Sequence, residues 1–115
     1  MLTKIRIDMA EKIEQILNEM KEKDIGGAVI RVDGIIEHST VALNDISAGL
    51  IASTANISDM LMQKMGDKQK EMETSFGSLI LVMVPIKNYI FCGMIRNREE
   101  KKVVLEYAKK AESCL

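Results

Sequence analysis

The sequence predicts a mixed α/β domain in which a five-stranded antiparallel sheet forms the middle layer of an α/β/α sandwich, with one helix on one face and two on the other. Three observations lead there. Apolar spacing changes along the chain in the order α-β-β-α-β-β-β-α. Two of the strands, at 79–84 and 89–95, are apolar on both faces and therefore need cover on both. Three amphipathic helices are available to provide it, the middle one on one side and the terminal pair on the other. A chain of 115 residues with 47% apolar residues can build one core, so a single domain over 1–115 is expected.

The first helix is read over residues 8–23, where Met9, Ile13, Ile16, Leu17 and Met20 repeat at helical spacing and charged residues fill the other side. Residues 1–7 either extend this helix or form an arm. Gly26-Gly27 ends the helical pattern and the period changes to two, with Ala28, Ile30 and Val32 on one face and Val29 and Arg31 on the other. Asp33-Gly34 supplies the positive φ angles of a type I′ turn. The chain then returns as a strand that sets Val32 against Ile35, Ile30 against Glu37 and Val29 against His38.

Asn44 or Asp45 caps the middle helix, which runs over 46–65 and is closed by Gly66. Its wheel carries apolar residues on two sides. Ile46, Leu50, Ile57 and Leu61 form what reads as an ordinary core face. Ala48, Ala52, Ala55 and Met62, flanked by Ile51, form an opposite stripe, and Asp59 is the only charged residue between Ile46 and Gln63. A helix apolar on two sides is covered on two sides. Its serines, threonine, asparagine and aspartate make it too polar for a membrane span, so no membrane insertion is expected.

Residues 67–76 are polar and read as a loop or an edge strand. Gly77-Ser78 turns the chain into the apolar strand 79–84, which Pro85 ends. Lys87-Asn88 turns it again into the strand 89–95. Asn97 then caps the last helix with Glu100 three residues on, and Val104, Tyr107, Ala108, Ala111 and Leu115 give that helix its apolar stripe.

The order of elements, together with three local features, resembles the Roadblock/dynein light-chain family, whose domain is profilin-like. Gly27-Ala28-Val29-Ile30-Arg31-Val32-Asp33-Gly34 is similar to its first hairpin. The small-residue middle helix around Ala48, Gly49, Ala52 and Ala55 is similar to its interface helix. Leu79-Ile80-Leu81-Val82-Met83-Val84-Pro85-Ile86 is similar to its central strand. Both hairpin turns are shorter than many members carry, which bears on loop contacts and not on the fold. The resemblance implies a homodimer, or a heterodimer with a related chain, in which third strands pair across a two-fold axis and middle helices pack together. It also implies a scaffold that partners or regulates a small Ras-like GTPase.

Within that frame the expected dimer interface comprises Ala48, Ile51, Ala52, Ala55, Asp59 and Met62 on the middle helix and Lys70, Glu71, Met72 and Glu73 on the third strand. The alanines would let two helix backbones approach, unless they pack beneath a loop of their own chain. If two third strands pair about a point between Glu71 and Met72, Lys70 faces the partner's Glu73, a cross-strand pair worth roughly 0.2–1 kcal/mol. The other reading has Lys68 and Lys70 protecting a free edge.

Chemistry finds little foothold. Lys plus Arg total 16 and Asp plus Glu 17, a net charge of −1 that argues against a nucleic-acid partner. One histidine, His38, and two cysteines, Cys92 and Cys114, make neither a zinc site nor a disulfide framework. His38 lacks a nucleophile to serve, Cys92 sits in an apolar strand, and nothing marks Cys114 as activated. No Gly-x-x-x-x-Gly-Lys motif is present, so the chain is not itself a GTPase, and none of Arg31, Arg96 and Arg98 stands out as an arginine supplied in trans. No cofactor and no catalytic role are expected, and a first segment without the apolar region of a signal peptide points to a cytoplasmic location. The alternatives to the scaffold are a small-molecule-binding PAS-like sensor and a structural subunit of a larger complex. The sensor would need a pocket with convergent polar groups, whereas its expected lining at 79–84 and 90–95 is almost wholly apolar.

Overall fold

The computed structural model describes residues 2–68 and 70–115, without the side chains of 2–7 and of Phe76. It contains α1 (Leu2–Glu22), β1 (Gly26–Arg31), β2 (Ile36–Ser39), α2 (Asp45–Lys64), β3 (Met72–Phe76), β4 (Leu79–Ile86), β5 (Tyr89–Ile95) and α3 (Glu100–Glu112). The strands form one antiparallel sheet in the order β2-β1-β5-β4-β3. The element order and the sandwich are those the sequence predicts. Residues 2–7 continue α1, while Met1 and Gln69, part of the polar 67–76 segment, lie outside the described residues.

Period-two alternation sorts the strand residues onto two faces. Val29, Val82, Phe91 and Ile95 pack beneath Ile13, Leu17 and Met20 of α1 and Val104, Tyr107 and Ala111 of α3. Ala28, Ile30, Leu81, Met83, Ile90 and Cys92 pack beneath α2. Gly93 lets α3 lie close on β5, since a Cβ there would stand 2.7 Å from two methyl carbons of Val104.

Four local features differ from the sequence reading, each for a stated reason. Asp24 and not the glycine pair closes α1: it takes φ +62°, and the N–H of Ile25 reaches back to the carbonyl of Met20 at 2.9 Å. Gly26 and Gly27 belong to β1 and serve packing, because a Cβ on Gly27 would lie 2.9 Å from Leu17. In the β1–β2 turn only Gly34 has positive φ, at +94°, so the turn is not type I′. The N–H of Gly34 donates to the carbonyl of Arg31 and the register shifts by one residue, which pairs Ile30 with Ile36 in place of Glu37 and keeps Val29 opposite His38. Finally, β4 continues through Pro85 to Ile86. Its pairing with β3 stops at Met83, so Pro85 sits where the strand has a neighbour on one side only.

The caps of α2 follow the sequence. Asn44 accepts a hydrogen bond from the Ser47 N–H at 2.8 Å, and Gly66 takes φ +74° as the Asp67 N–H returns to the carbonyl of Met62. Asn97 accepts from the Glu100 N–H at 3.1 Å while its side-chain amide donates to the Glu100 carboxylate at 2.9 Å. However, α3 begins only at Glu100 with Glu99 in the N-cap position, so Asn97 holds the turn leading into the helix and the expected capping box does not form.

Candidate protein interface

The two apolar sides of α2 are placed opposite to expectation. Ala48, Ala52 and Ala55 are the inward face, exposed by only 0%, 3% and 4%. They rest on the cluster built from Ala28, Ile30, Met83, Ile90 and Cys92, so they are packed against their own sheet and are not the uncovered stripe of α2. The face read as core points outward, with Ile46 76%, Leu50 65%, Ile57 68% and Leu61 56% exposed, joined by Met60 and Met65. The reason is steric. The sheet already presents large side chains on this face, and a helix seats closely over them only through small residues. A wheel shows two stripes but not which of them the sheet can accommodate. The missed signal lay in the strands, in the size of Ile30, Met83 and Ile90.

Of the other α2 residues expected at the interface, Ile51 is half-buried against the same cluster, and Asp59 and Met62 are half-buried at the flank. The Asp59 carboxylate accepts a hydrogen bond from Gln63 at 2.9 Å. The β1–β2 turn braces the opposite flank, where the Asn56 amide donates to the Val32 carbonyl at 3.1 Å. Val32 and Ile35, both exposed, extend the apolar surface onto this turn. Isolated exposed apolar residues are ordinary, but eight large ones gathered on one helix and the adjoining turn are not.

At the sheet edge, β3 begins at Met72, and Lys70 is exposed ahead of the strand. A symmetry point between Glu71 and Met72 would therefore fall at the strand's start and not within it. Glu73 already has a partner in its own chain: Lys101 of α3 bonds its carboxylate and also reaches Glu71 at 2.8 Å, with Arg98 4.0 Å from Glu73. The hydrogen bond from Lys101 holds the Glu73 carboxyl below its ordinary value, and the two carboxylates raise the Lys101 ammonium above its own. Met72 faces the other way and packs beside α2. Of the expected strand residues, the fold thus brings Glu71 and Glu73 together on one side, Met72 on the other, and leaves Lys70 apart.

A groove of about 360 Å³ lies beneath the first turns of α2, between Ser47, Leu50 and Ile51 and the strand residues Ala28, Cys92 and Met94. Its walls come from the start of β1, from β5 and from α2, residues far apart in sequence, which a strand-by-strand reading does not reveal. Ser47 contributes the one hydroxyl among these walls, short of the convergent polar set a specific small-molecule site needs. Burial pushes the Cys92 thiol up to about 12, so it is a neutral thiol at neutral pH. His38 stands on the edge strand β2 opposite Val29, in a shallow cleft with Met9 and Tyr89. Arg31 is engaged by Asp33 at 2.7 Å and Arg96 by Asp24. Among the described residues, no group of three or more His, Cys, Asp or Glu is placed to hold a metal ion, and no helix is long and apolar enough to cross a membrane.

No protein-family profile matches the sequence, and no curated protein matches it. Solved structures do match its fold. Myxococcus xanthus MglB superposes with a TM-score of 0.77 at 16% identity, covering 91% of this chain and 85% of that one. An MglB in a tetrameric arrangement gives 0.72 at 18% identity, covering 93% of both chains. A Roadblock/LC7 domain from Streptomyces avermitilis gives 0.64 at 12% identity over 76% of this chain and 79% of its own. The architecture is therefore the Roadblock one.

Proposed function

We propose that this chain, built on the Roadblock fold, is a dimeric scaffold that binds a small Ras-like GTPase and biases its nucleotide state, with the outward face of α2 as the seam between two copies. The observation that carries the reading is the row Ile46, Leu50, Ile57, Leu61 and Met65, each more than half exposed among the described residues. Burying such side chains contributes about 1.5–3 kcal/mol each, enough for a few of them to hold a dimer against the cost of association. The tetrameric arrangement of one MglB supports assembly through surfaces of this fold.

The GTPase partner follows from the resemblance to the Roadblock family and is supported by the likeness to MglB. A scaffold acts on such a partner only through differential affinity for its two nucleotide states. The mass of the protein by light scattering over a wide dilution series should be that of a dimer down to low concentration. A monomer throughout would break the homodimer. Calorimetric titration of the dimer with a small Ras-like GTPase, loaded in turn with GDP and with a GTP analogue, should give unequal affinities. Equal affinities would remove regulation of the nucleotide state, and no binding in either state would remove the GTPase.

A further inference from the structure

We propose that the groove beneath the first turns of α2 is filled by the partner's Met65, with Leu61 beside it, so that two copies plug one another across the two-fold axis. This rests on the dimer reading above. Leu50, 65% exposed, is both a wall of the groove and a member of the outward face, so groove and seam are one continuous surface.

Helix geometry selects the occupant. Ser47 and Met65 are eighteen residues apart, and eighteen residues make about five turns, so both project from the same side of α2 at opposite ends. Leu50 and Leu61 are related in nearly the same way, by about three turns. A two-fold axis perpendicular to two facing helices sets the same side of each together with the ends exchanged. Met65 of one copy then stands over the Ser47 groove of the other.

Charge favours that antiparallel arrangement. Asp45 lies in the first turn and Lys64 in the last. Antiparallel packing brings each acidic N-terminal end beside a basic C-terminal end and opposes the helix dipoles, while parallel packing sets like ends together. A methionine suits an irregular apolar space because its side chain is unbranched and flexible. Met65, at 69% exposure, has little packing among the described residues to give up.

The test places thiols at both ends, as Ser47→Cys with Met65→Cys, in a background of Cys92→Ala and Cys114→Ser. A short bismaleimide is added and the product read by denaturing electrophoresis, beside light scattering on the untreated protein. A covalent dimer from the double variant, with none from either single variant, is the expected result. A protein dimeric by scattering that gives no covalent dimer overturns this inference and leaves the dimer standing. A covalent dimer from either single variant also overturns it, since identical positions would then be adjacent. A monomer by scattering overturns both.

Discussion

On one face of the sheet, α1 and α3 bring down Ile13, Leu17, Met20, Val104 and Tyr107, whereas on the other α2 brings down Ala48, Ala52 and Ala55. The first face is closed by two helices that interlock large side chains with those of the strands. The second is closed by one helix whose small residues let it sit on large strand side chains, and its own large residues are left on the outside. Two apolar stripes on a helix thus have separate uses, and side-chain size does not tell which stripe is core. The stripe that goes inward is the one whose volume complements the sheet.

Four experiments would break or sharpen this contrast. The largest effect belongs to the doubly covered face: Phe91→Ala, at a fully buried position, should cost about 3–5 kcal/mol in urea unfolding. A loss below 1 kcal/mol would mean that this face is loosely packed. Next, Ala52→Leu should cost about 1–3 kcal/mol by forcing α2 off the sheet. If unfolding were unchanged and only the oligomeric mass moved, the alanine stripe would face a partner and the orientation of α2 would be reversed. Leu61→Gln, on the outward face, should weaken self-association about tenfold or more while changing monomer unfolding by no more than about 0.5 kcal/mol. An equal loss in both would make Leu61 part of the protomer's own core.

The smallest effect concerns the charged edge. Glu73 is held below its ordinary 4.5, so its contribution is present above that value and lost as pH falls through the lower, folded one. Lys101 is raised above its ordinary 10.5, so its contribution is present below that value and lost as pH rises through the higher, folded one. Lys101→Met should flatten both ends of the profile of urea midpoint against pH. An unchanged profile would show that the edge carries no linked protons.

The order of the elements was legible because several boundaries have a local chemical cause: a change of period after residue 25, Asn44 ahead of a helix and Gly66 behind it. What was hidden depends on residues far apart in sequence. The orientation of α2 is set by Ile30 and Ile90, the groove by β1 meeting β5, and the pairing of Glu73 by a lysine on α3. The hairpin register was missed for a local reason. Asp33-Gly34 fits a two-residue turn, but Asp33 keeps negative φ and uses its carboxylate to hold Arg31 and the Ile35 N–H.

The contact between Gly93 and Val104 makes two distant codons a single evolutionary locus. Any side chain at 93 collides with the branched methyls above it, and a smaller residue at 104 leaves a void over glycine. Either change alone should destabilise the fold and the two together should partly compensate, so a double-mutant cycle between the positions should be non-additive. Exchanged one residue at a time, the pair should pass through an impaired intermediate, which ties the fit of α3 to β5 to both positions at once.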